Sequence, residues 1–256
     1  MNSQVFNLSR IIAHRGASVL APENTLSAFR TAYEIGAKWV EFDVMLAACG
    51  EVVVIHDETL DRTTNGSGKV CDYPYSYLKT LDAGSWFNPA FSGEKIPTLA
   101  EVAKLLREYN LIANIEIKPF LGKEDETVKN VLNVINECWQ PSNHPPLISS
   151  FSRKVLECVR QYSSTHYLAL LMDEWELDWE RYCNELNCIA VDVNHRILNQ
   201  ARVAEVKSTG RFLLSYTVDL PERAENLFDW GVDAVFSNCP ASMNVFLQPF
   251  TEFHKK

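Results

Sequence analysis

Short runs of β-branched and other apolar residues alternate with helix-period segments along most of this chain, and that alternation restricts its fold more than any other feature. Segments 111–119, 147–150, 167–171, 188–193, 211–216 and 234–236 read as strands. Helices are predicted between them, near 124–138, 152–162, 175–186, 198–209 and 221–230. Repeated βα units call for parallel strands, and their number fits a closed eight-stranded α/β barrel of the TIM type better than an open doubly wound sheet. At 256 residues the chain has the length of one such barrel, so a single domain over 1–256 is expected.

The N-terminal part adds two more helix signals. Pro22, Asn24 as N-cap, then Leu26, Phe29 and Tyr33 at helical spacing with Gly36 as a stop predict the first helix. Thr98 and Glu101 stand at capping-box spacing and open another, with Leu99, Val102, Leu105, Leu106 and Tyr109 on one face. From about 57 to 95 the pattern breaks into turn-rich sequence, including Asn65-Gly66-Ser67-Gly68 and Asn88-Pro89, which marks a small insertion after the second strand region.

Chemistry concentrates at strand ends. The run at 10–13 stops at His14-Arg15-Gly16, and the run at 51–55 delivers His56-Asp57. Between them Trp39-Val40-Glu41-Phe42-Asp43-Val44-Met45 alternates strictly, so Glu41 and Asp43 share one face of a strand. The same alternation at 111–119 puts Asn114, Glu116 and Lys118 on one face. Carboxylates on the inner face of a strand are expensive to bury without cations. A hard divalent ion, Mg²⁺ or Ca²⁺, fits oxygen donors; the alternative is a structural ion-pair network with Arg15 and Lys118. If the fold is a barrel, these residues all belong to its C-terminal face, where such enzymes keep their chemistry.

Bulk properties narrow the partners. The net charge is −9 and there is no Lys/Arg run, which argues against a nucleic-acid surface. The first ten residues lack the apolar core of a signal peptide, and no run reaches membrane-spanning length, so a cytoplasmic protein without membrane insertion is expected. Seven cysteines, odd in number and without a Cys-x-x-Cys pair, indicate neither a disulfide framework nor a zinc site; most are expected to be small buried hydrophobes. His144, His166, His195 and His254 read as surface or structural residues.

His14-Arg15-Gly16, Pro22-Glu23-Asn24-Thr25, Glu41-Phe42-Asp43, His56-Asp57 with Leu60-Asp61-Arg62-Thr63-Thr64-Asn65-Gly66-Ser67-Gly68, and Glu116-Ile117-Lys118-Pro119 together resemble the glycerophosphodiester phosphodiesterase family. The likeness extends through Ser149-Ser150-Phe151, Asp173-Glu174-Trp175, Val193-Asn194-His195 and Tyr216-Thr217-Val218, and is similar to the short cytoplasmic bacterial branch. It implies metal-dependent hydrolysis of a small-molecule glycerophosphodiester to sn-glycerol 3-phosphate and an alcohol. It also implies His14 and His56 as the acid/base pair, Glu41, Asp43 and Glu116 as ligands of one divalent cation, and Arg15 and Lys118 as phosphate contacts. Phe151 and Tyr216 match positions near the glycerol end, where packing is the competing role. One departure stands out: many members carry Thr-Asp after the last strand, and this chain has Ser237-Asn238, an amide in place of a carboxylate.

Three rivals are weaker. A phospholipase D-like lyase would act at a membrane from outside the cell, which the cysteines and N-terminus oppose; the sequence shows no clear apolar wedge or basic surface, and the aromatics of the insertion, Tyr73, Tyr75, Tyr77, Trp86 and Phe87, are expected to pack it onto the barrel, with membrane docking as their competing role. A noncatalytic glycerophosphodiester-binding barrel would not need its histidines and acids intact. A glycosidase would need two carboxylates but not paired histidines with Arg15 and Lys118. Oligomeric state, the preferred alcohol, the choice between the two imidazoles as base, and water or the glycerol 2-hydroxyl as first nucleophile stay open.

Overall fold

The computed structural model describes residues 8–139 and 144–247. Eight parallel strands close into a barrel: β1 (Ile11–His14), β2 (Trp39–Leu46), β4 (Ile112–Ile117), β5 (Leu147–Ser150), β6 (Tyr167–Met172), β7 (Ala190–Asn194), β8 (Phe212–Tyr216) and β9 (Ala234–Ser237), with β1 pairing both β9 and β2. The ninth strand, β3 (Val52–Val54), is antiparallel to β2 at its C-terminal end and takes no place in the ring. The 51–55 run is therefore the return arm of a hairpin. Its direction brings Ile55 back to hydrogen bond with Asp43, so His56 reaches the mouth from the side.

Alternation along each strand divides its residues between two layers. Ile12, Trp39, Ile112, Leu147, Ala169, Ala190, Leu214, Ala234 and Phe236 fill the barrel interior. Their neighbours, such as Val40, Phe42, Ala113, Ile115 and Val191, pack outward against the helices. Helix α1 (Leu26–Glu34) illustrates the outer layer: Phe29 is fully buried and meets Phe42 edge-on at 5.4 Å. Burial of a side chain of that size is worth about 2–3 kcal/mol.

Local signals hold in detail at some helices and shift at others. The Thr98–Glu101 capping box opens α3 (Leu99–Tyr109) with both reciprocal bonds made. At α1 the cap is Thr25, whose hydroxyl accepts from the Ala28 amide, and not Asn24. Asn24 has φ +59°, and its side chain is used elsewhere. The helix predicted from 175 begins later, as α6 (Trp179–Glu185). Arg153 binds Glu176 and Asp178, and Trp175 packs on Trp179, which together hold 175–178 as a loop.

The insertion forms its own small core. Leu60, Val70, Leu78, Leu81 and Ile96 pack on Met45, Val53 and Ile55, beside the barrel mouth. Three of the seven cysteines are buried (Cys158, Cys183 and Cys188), while Cys49 is exposed and Cys71, Cys138 and Cys239 are partly exposed, so burial is not their common state. Of the weaker histidines, His144 is exposed, His166 and His195 are half-buried, and His254 lies outside the described residues.

Candidate active site

Parallel register assembles the acids. His14 pairs with Glu41 across β1 and β2, Glu41 with Asn114 across β2 and β4, and Asp43 with Glu116 two residues further along. Because alternate residues share the inner face, Glu41, Asp43 and Glu116 converge in the barrel mouth. Their ligand oxygens all lie within 4.8 Å of one another. Glu41 and Asp43 are almost fully buried. Burial, then repulsion from Asp43 and Glu116, pushes the Glu41 carboxyl well above its ordinary range, and burial with Asp43 pushes Glu116 up to about 8. Three desolvated carboxyls around one point form a donor set that fits a hard divalent cation and is poorly satisfied without one.

Two backbone positions are bent to complete this site. Arg15 has φ +55°, and its amide donates to Glu41 Oε2 at 3.0 Å. Gly16 follows at φ +80°, and a Cβ there would lie 2.7 Å from Ala28 Cβ, so the turn closes against α1 only with glycine. Asn24 donates from Nδ2 to Asp43 Oδ2 at 2.9 Å, which orients that carboxylate. The Arg15 guanidinium lies 3.4 Å from Asp43 Oδ2 and 2.8 Å from Glu23 Oε1, while Lys118 Nζ lies 3.8 Å from Asp43 Oδ1.

Each imidazole is fixed through Nδ1. His14 Nδ1 lies 2.7 Å from Asn238 Oδ1. The amide cannot be turned over, because Asn238 Nδ2 donates at 2.8 Å to Asp219 Oδ2, a carboxylate oxygen that can only accept. That places the His14 proton on Nδ1 and the lone pair on Nε2, which lies 3.8 Å from Glu41. Burial, reinforced by the charge of Arg15, lowers the His14 pKa to about 4, so this ring is neutral at pH 7. His56 Nδ1 lies 2.6 Å from Asp57 Oδ1, and burial lowers its pKa as well, against the pull of Asp43 and Asp57.

Behind His56 runs a chain of alternating charge. Arg62 grips Asp57 through Nε (2.7 Å) and Glu23 through both terminal nitrogens (2.8 Å each). Burial opposes ionisation of Glu23, but the bonds from Arg62 and the charge of Arg15 prevail and hold its carboxyl at about 2.

A cavity of about 140 Å³ opens over this arrangement, lined in part by His14, Arg15, His56, Glu116, Phe151 and Tyr216. Phe151 and Tyr216 meet edge-on at 5.9 Å, and the Tyr216 hydroxyl donates to the Met172 carbonyl. His14, Arg15, Glu41, His56, Glu116, Phe151 and Tyr216 thus line one cavity, and Asp43 and Lys118 stand next to its acids. Asn194 and Trp175 are further out, engaged with Asp173 and Trp179.

The sequence reading missed Asp219 and Asp192. Asp219 sits 19 residues before Asn238 in a loop without motif signal. Asp192 alternates inward on β7, fully buried, with both oxygens unpartnered among the described residues, and burial raises its pKa well above the ordinary value. Its inward position was readable from alternation, but its lack of a partner was not.

The family described as glycerophosphoryl diester phosphodiesterase matches residues 14–242. A glycerophosphodiester phosphodiesterase of Caldanaerobacter subterraneus subsp. tengcongensis is 35% identical over 242 residues, 91% of this chain and 95% of that protein. One from Bacillus subtilis is 34% identical over 248 residues, 90% of this chain and 83% of its own length. The structure of an Oleispira antarctica phosphodiesterase in complex with the product sn-glycerol-3-phosphate matches with a TM-score of 0.91 and 34% identity, covering 94% of this chain and 97% of that one.

Proposed function

Since the chain belongs to the glycerophosphodiester phosphodiesterase family, we propose that this phosphoric diester hydrolase uses His14 and His56 as its acid/base pair to release sn-glycerol 3-phosphate and an alcohol. The observation that carries the reading is the convergence of two Nδ1-anchored imidazoles, three carboxyls, Arg15 and Lys118 at one barrel mouth. The product held by the Oleispira antarctica protein supports the same reaction.

Glu41, Asp43 and Glu116 would hold one divalent cation, Mg²⁺ or Ca²⁺. Bound there, it supplies Lewis-acid polarisation of the phosphoryl oxygen, a contribution of roughly several kcal/mol. Arg15, with its planar fork, and Lys118, as a point charge, hold the remaining nonbridging oxygens. One Nε2 lone pair takes the proton of the attacking hydroxyl, either that of water, which gives sn-glycerol 3-phosphate directly, or the glycerol 2-hydroxyl, which gives a cyclic phosphate that water then opens to the same product. The other imidazole, protonated, gives its proton to the alkoxide as the P–O bond breaks. Burial lowers the pKa of both rings, but Asp57 at Nδ1 favours the protonated form of His56 whereas His14 faces a neutral amide, so His14 suits the accepting role and His56 the donating one. Asn24 and Glu23 hold Asp43 and Arg15 in place, and Phe151 and Tyr216 wall the glycerol end.

The whole of 1–256 forms one barrel domain in this reading, its insertion at about 57–95 covering part of the mouth, and the protein works in the cytoplasm. Among the described residues no helix is long and apolar enough to cross a membrane. The purified protein should release sn-glycerol 3-phosphate from glycerophosphocholine with Mg²⁺ or Ca²⁺; no release with either ion would overturn the proposal.

A second reading has one observation in its favour. Leu121 and Leu177 are 99% and 96% exposed, and with Leu20 and Leu220 they stand on loops around the catalytic mouth. This apolar rim was not evident from sequence, and it suits an acylated substrate at a lipid surface.

A further inference from the structure

Helix α6 ends in a closure that its sequence sets up. Asn187 takes the left-handed conformation, φ +51°, which asparagine tolerates better than most side chains. The backbone then makes two bonds, from the Cys188 amide to the Cys183 carbonyl at 2.9 Å and from the Asn187 amide to the Asn184 carbonyl at 3.2 Å. In this type of helix end the side chains of the outermost bonded pair pack on each other. Here both are cysteines, both are buried, and the Cys183 thiol donates a hydrogen bond to the Cys188 sulfur. We propose that Cys183 and Cys188 are a peroxide-reactive dithiol that closes reversibly into a disulfide and so staples α6 to the start of β7.

The two thiols differ as such a reaction requires. Arg160, on α5 (Arg153–Tyr162), donates from Nε to the Leu186 carbonyl at 2.7 Å, and Arg211 donates from Nε to the Cys188 carbonyl at 3.1 Å. Both guanidiniums therefore stand against the turn that carries Cys188. The bond from the Cys183 thiol, with these two charges, lowers the Cys188 pKa against the effect of burial, whereas the same bond and burial raise that of Cys183. Cys188 is thus the nucleophile and Cys183 the resolving thiol. Among the described residues no hydrogen bond joins another pair of thiols; Cys49 accepts from the Tyr75 amide and Cys71 donates to Asp72.

The Cys188 thiolate attacks one oxygen of hydrogen peroxide, the O–O bond breaks, and a sulfenic acid forms as hydroxide leaves. Cys183 then gives up its proton and attacks the Cys188 sulfur, displacing the sulfenic oxygen as water. Two thiols lose two electrons and two protons, and one peroxide becomes two waters. A small dithiol reverses the bond by exchange. Peroxide suits a buried pair because it is little larger than water. Cys188 precedes β7 at the barrel end opposite the mouth, so the staple closes away from the hydrolytic groups.

The test treats the intact, reduced protein with stoichiometric hydrogen peroxide, alkylates the remaining thiols under denaturing conditions and maps the peptides by mass spectrometry. A disulfide joining Cys183 to Cys188 and removed by dithiothreitol is expected. The bridged protein should melt about 5 °C higher, the scale of a short closed loop in a chain of this length. In Cys183→Ser the Cys188 sulfenic acid should persist and be trapped by dimedone, and in Cys188→Ser the Cys183 thiol should stay reduced. Both thiols remaining alkylatable while Cys49 is oxidised, or disulfides to other partners, would overturn the pair. Dimedone on Cys183 in Cys188→Ser would overturn the assigned roles, and a bridged protein that melts no higher would overturn the staple.

Discussion

Asp219 holds the side-chain amide of Asn238 by a 2.8 Å hydrogen bond and its backbone amide by one of 2.7 Å, which turns the Asn238 oxygen onto His14. The carboxylate that Ser237-Asn238 lacks is therefore present one hydrogen bond further back. His14 keeps a defined tautomer without a charged neighbour on Nδ1, which is consistent with a ring that stays neutral.

This relay makes Asp219 a positioning residue. Asp219→Ala frees the amide to rotate and present its NH₂ to His14, where it cannot accept the Nδ1 proton. Loss of one buried hydrogen bond is worth about 1.4 kcal/mol, or tenfold in rate. A kcat reduced about tenfold with KM held is the expected result; unchanged kcat would sever Asp219 from catalysis.

Both imidazoles should matter more than their supports. His14→Ala and His56→Ala should each lower kcat by about 10² or more, the size of an acid/base contribution. Circular dichroism should report an unchanged fold. Turnover near wild type in either variant would remove that residue from the mechanism.

The acid cluster should reveal its cation in stability as well as in activity. Glu116 titrates near 8 in the metal-free fold against 4.5 when unfolded, so the native state binds the extra proton between those values. Stability of EDTA-treated protein is then fully present below about pH 4.5 and is lost as pH rises towards 8. Mg²⁺ or Ca²⁺ should restore activity and raise the melting temperature most at the alkaline end. A melting temperature indifferent to both ions across that range would refute the site.

Glu23 has the opposite sign. Its carboxyl is held at about 2 against 4.5 unfolded, so its contribution is present above 4.5 and disappears as pH falls towards 2. Arg62→Ala removes the clamp on Glu23 and Asp57, and should move the acid-unfolding midpoint upward. Coincident acid titrations of wild type and variant would show that the clamp adds nothing.

The apolar rim offers a direct comparison of substrates. Glycerophosphocholine should be cleaved faster than lysophosphatidylcholine at equal concentration, and the protein should stay in the supernatant of a liposome sedimentation. Faster cleavage of the acylated lipid, reduced by Leu121→Ser and Leu177→Ser, would favour the lipid-surface reading instead.

Strand and helix identity, the barrel, and the gathering of His14, Glu41, Asp43, His56 and Glu116 were legible in the sequence, because side-chain alternation and helical period are local properties and inward residues of a closed parallel sheet meet at its mouth. Tertiary structure decided what depends on distant neighbours. The direction of the Val52–Val54 strand was set by its pairing with β2, and the cap of α1 passed from Asn24 to Thr25 because Asn24 is drawn to Asp43. Asp219 reached His14 through Asn238 only when the loops after β8 and β9 lay side by side. Such relations are encoded in no window of sequence, since a hydrogen bond or a cavity is a property of positions in space and the chain separation between its members leaves no periodic trace.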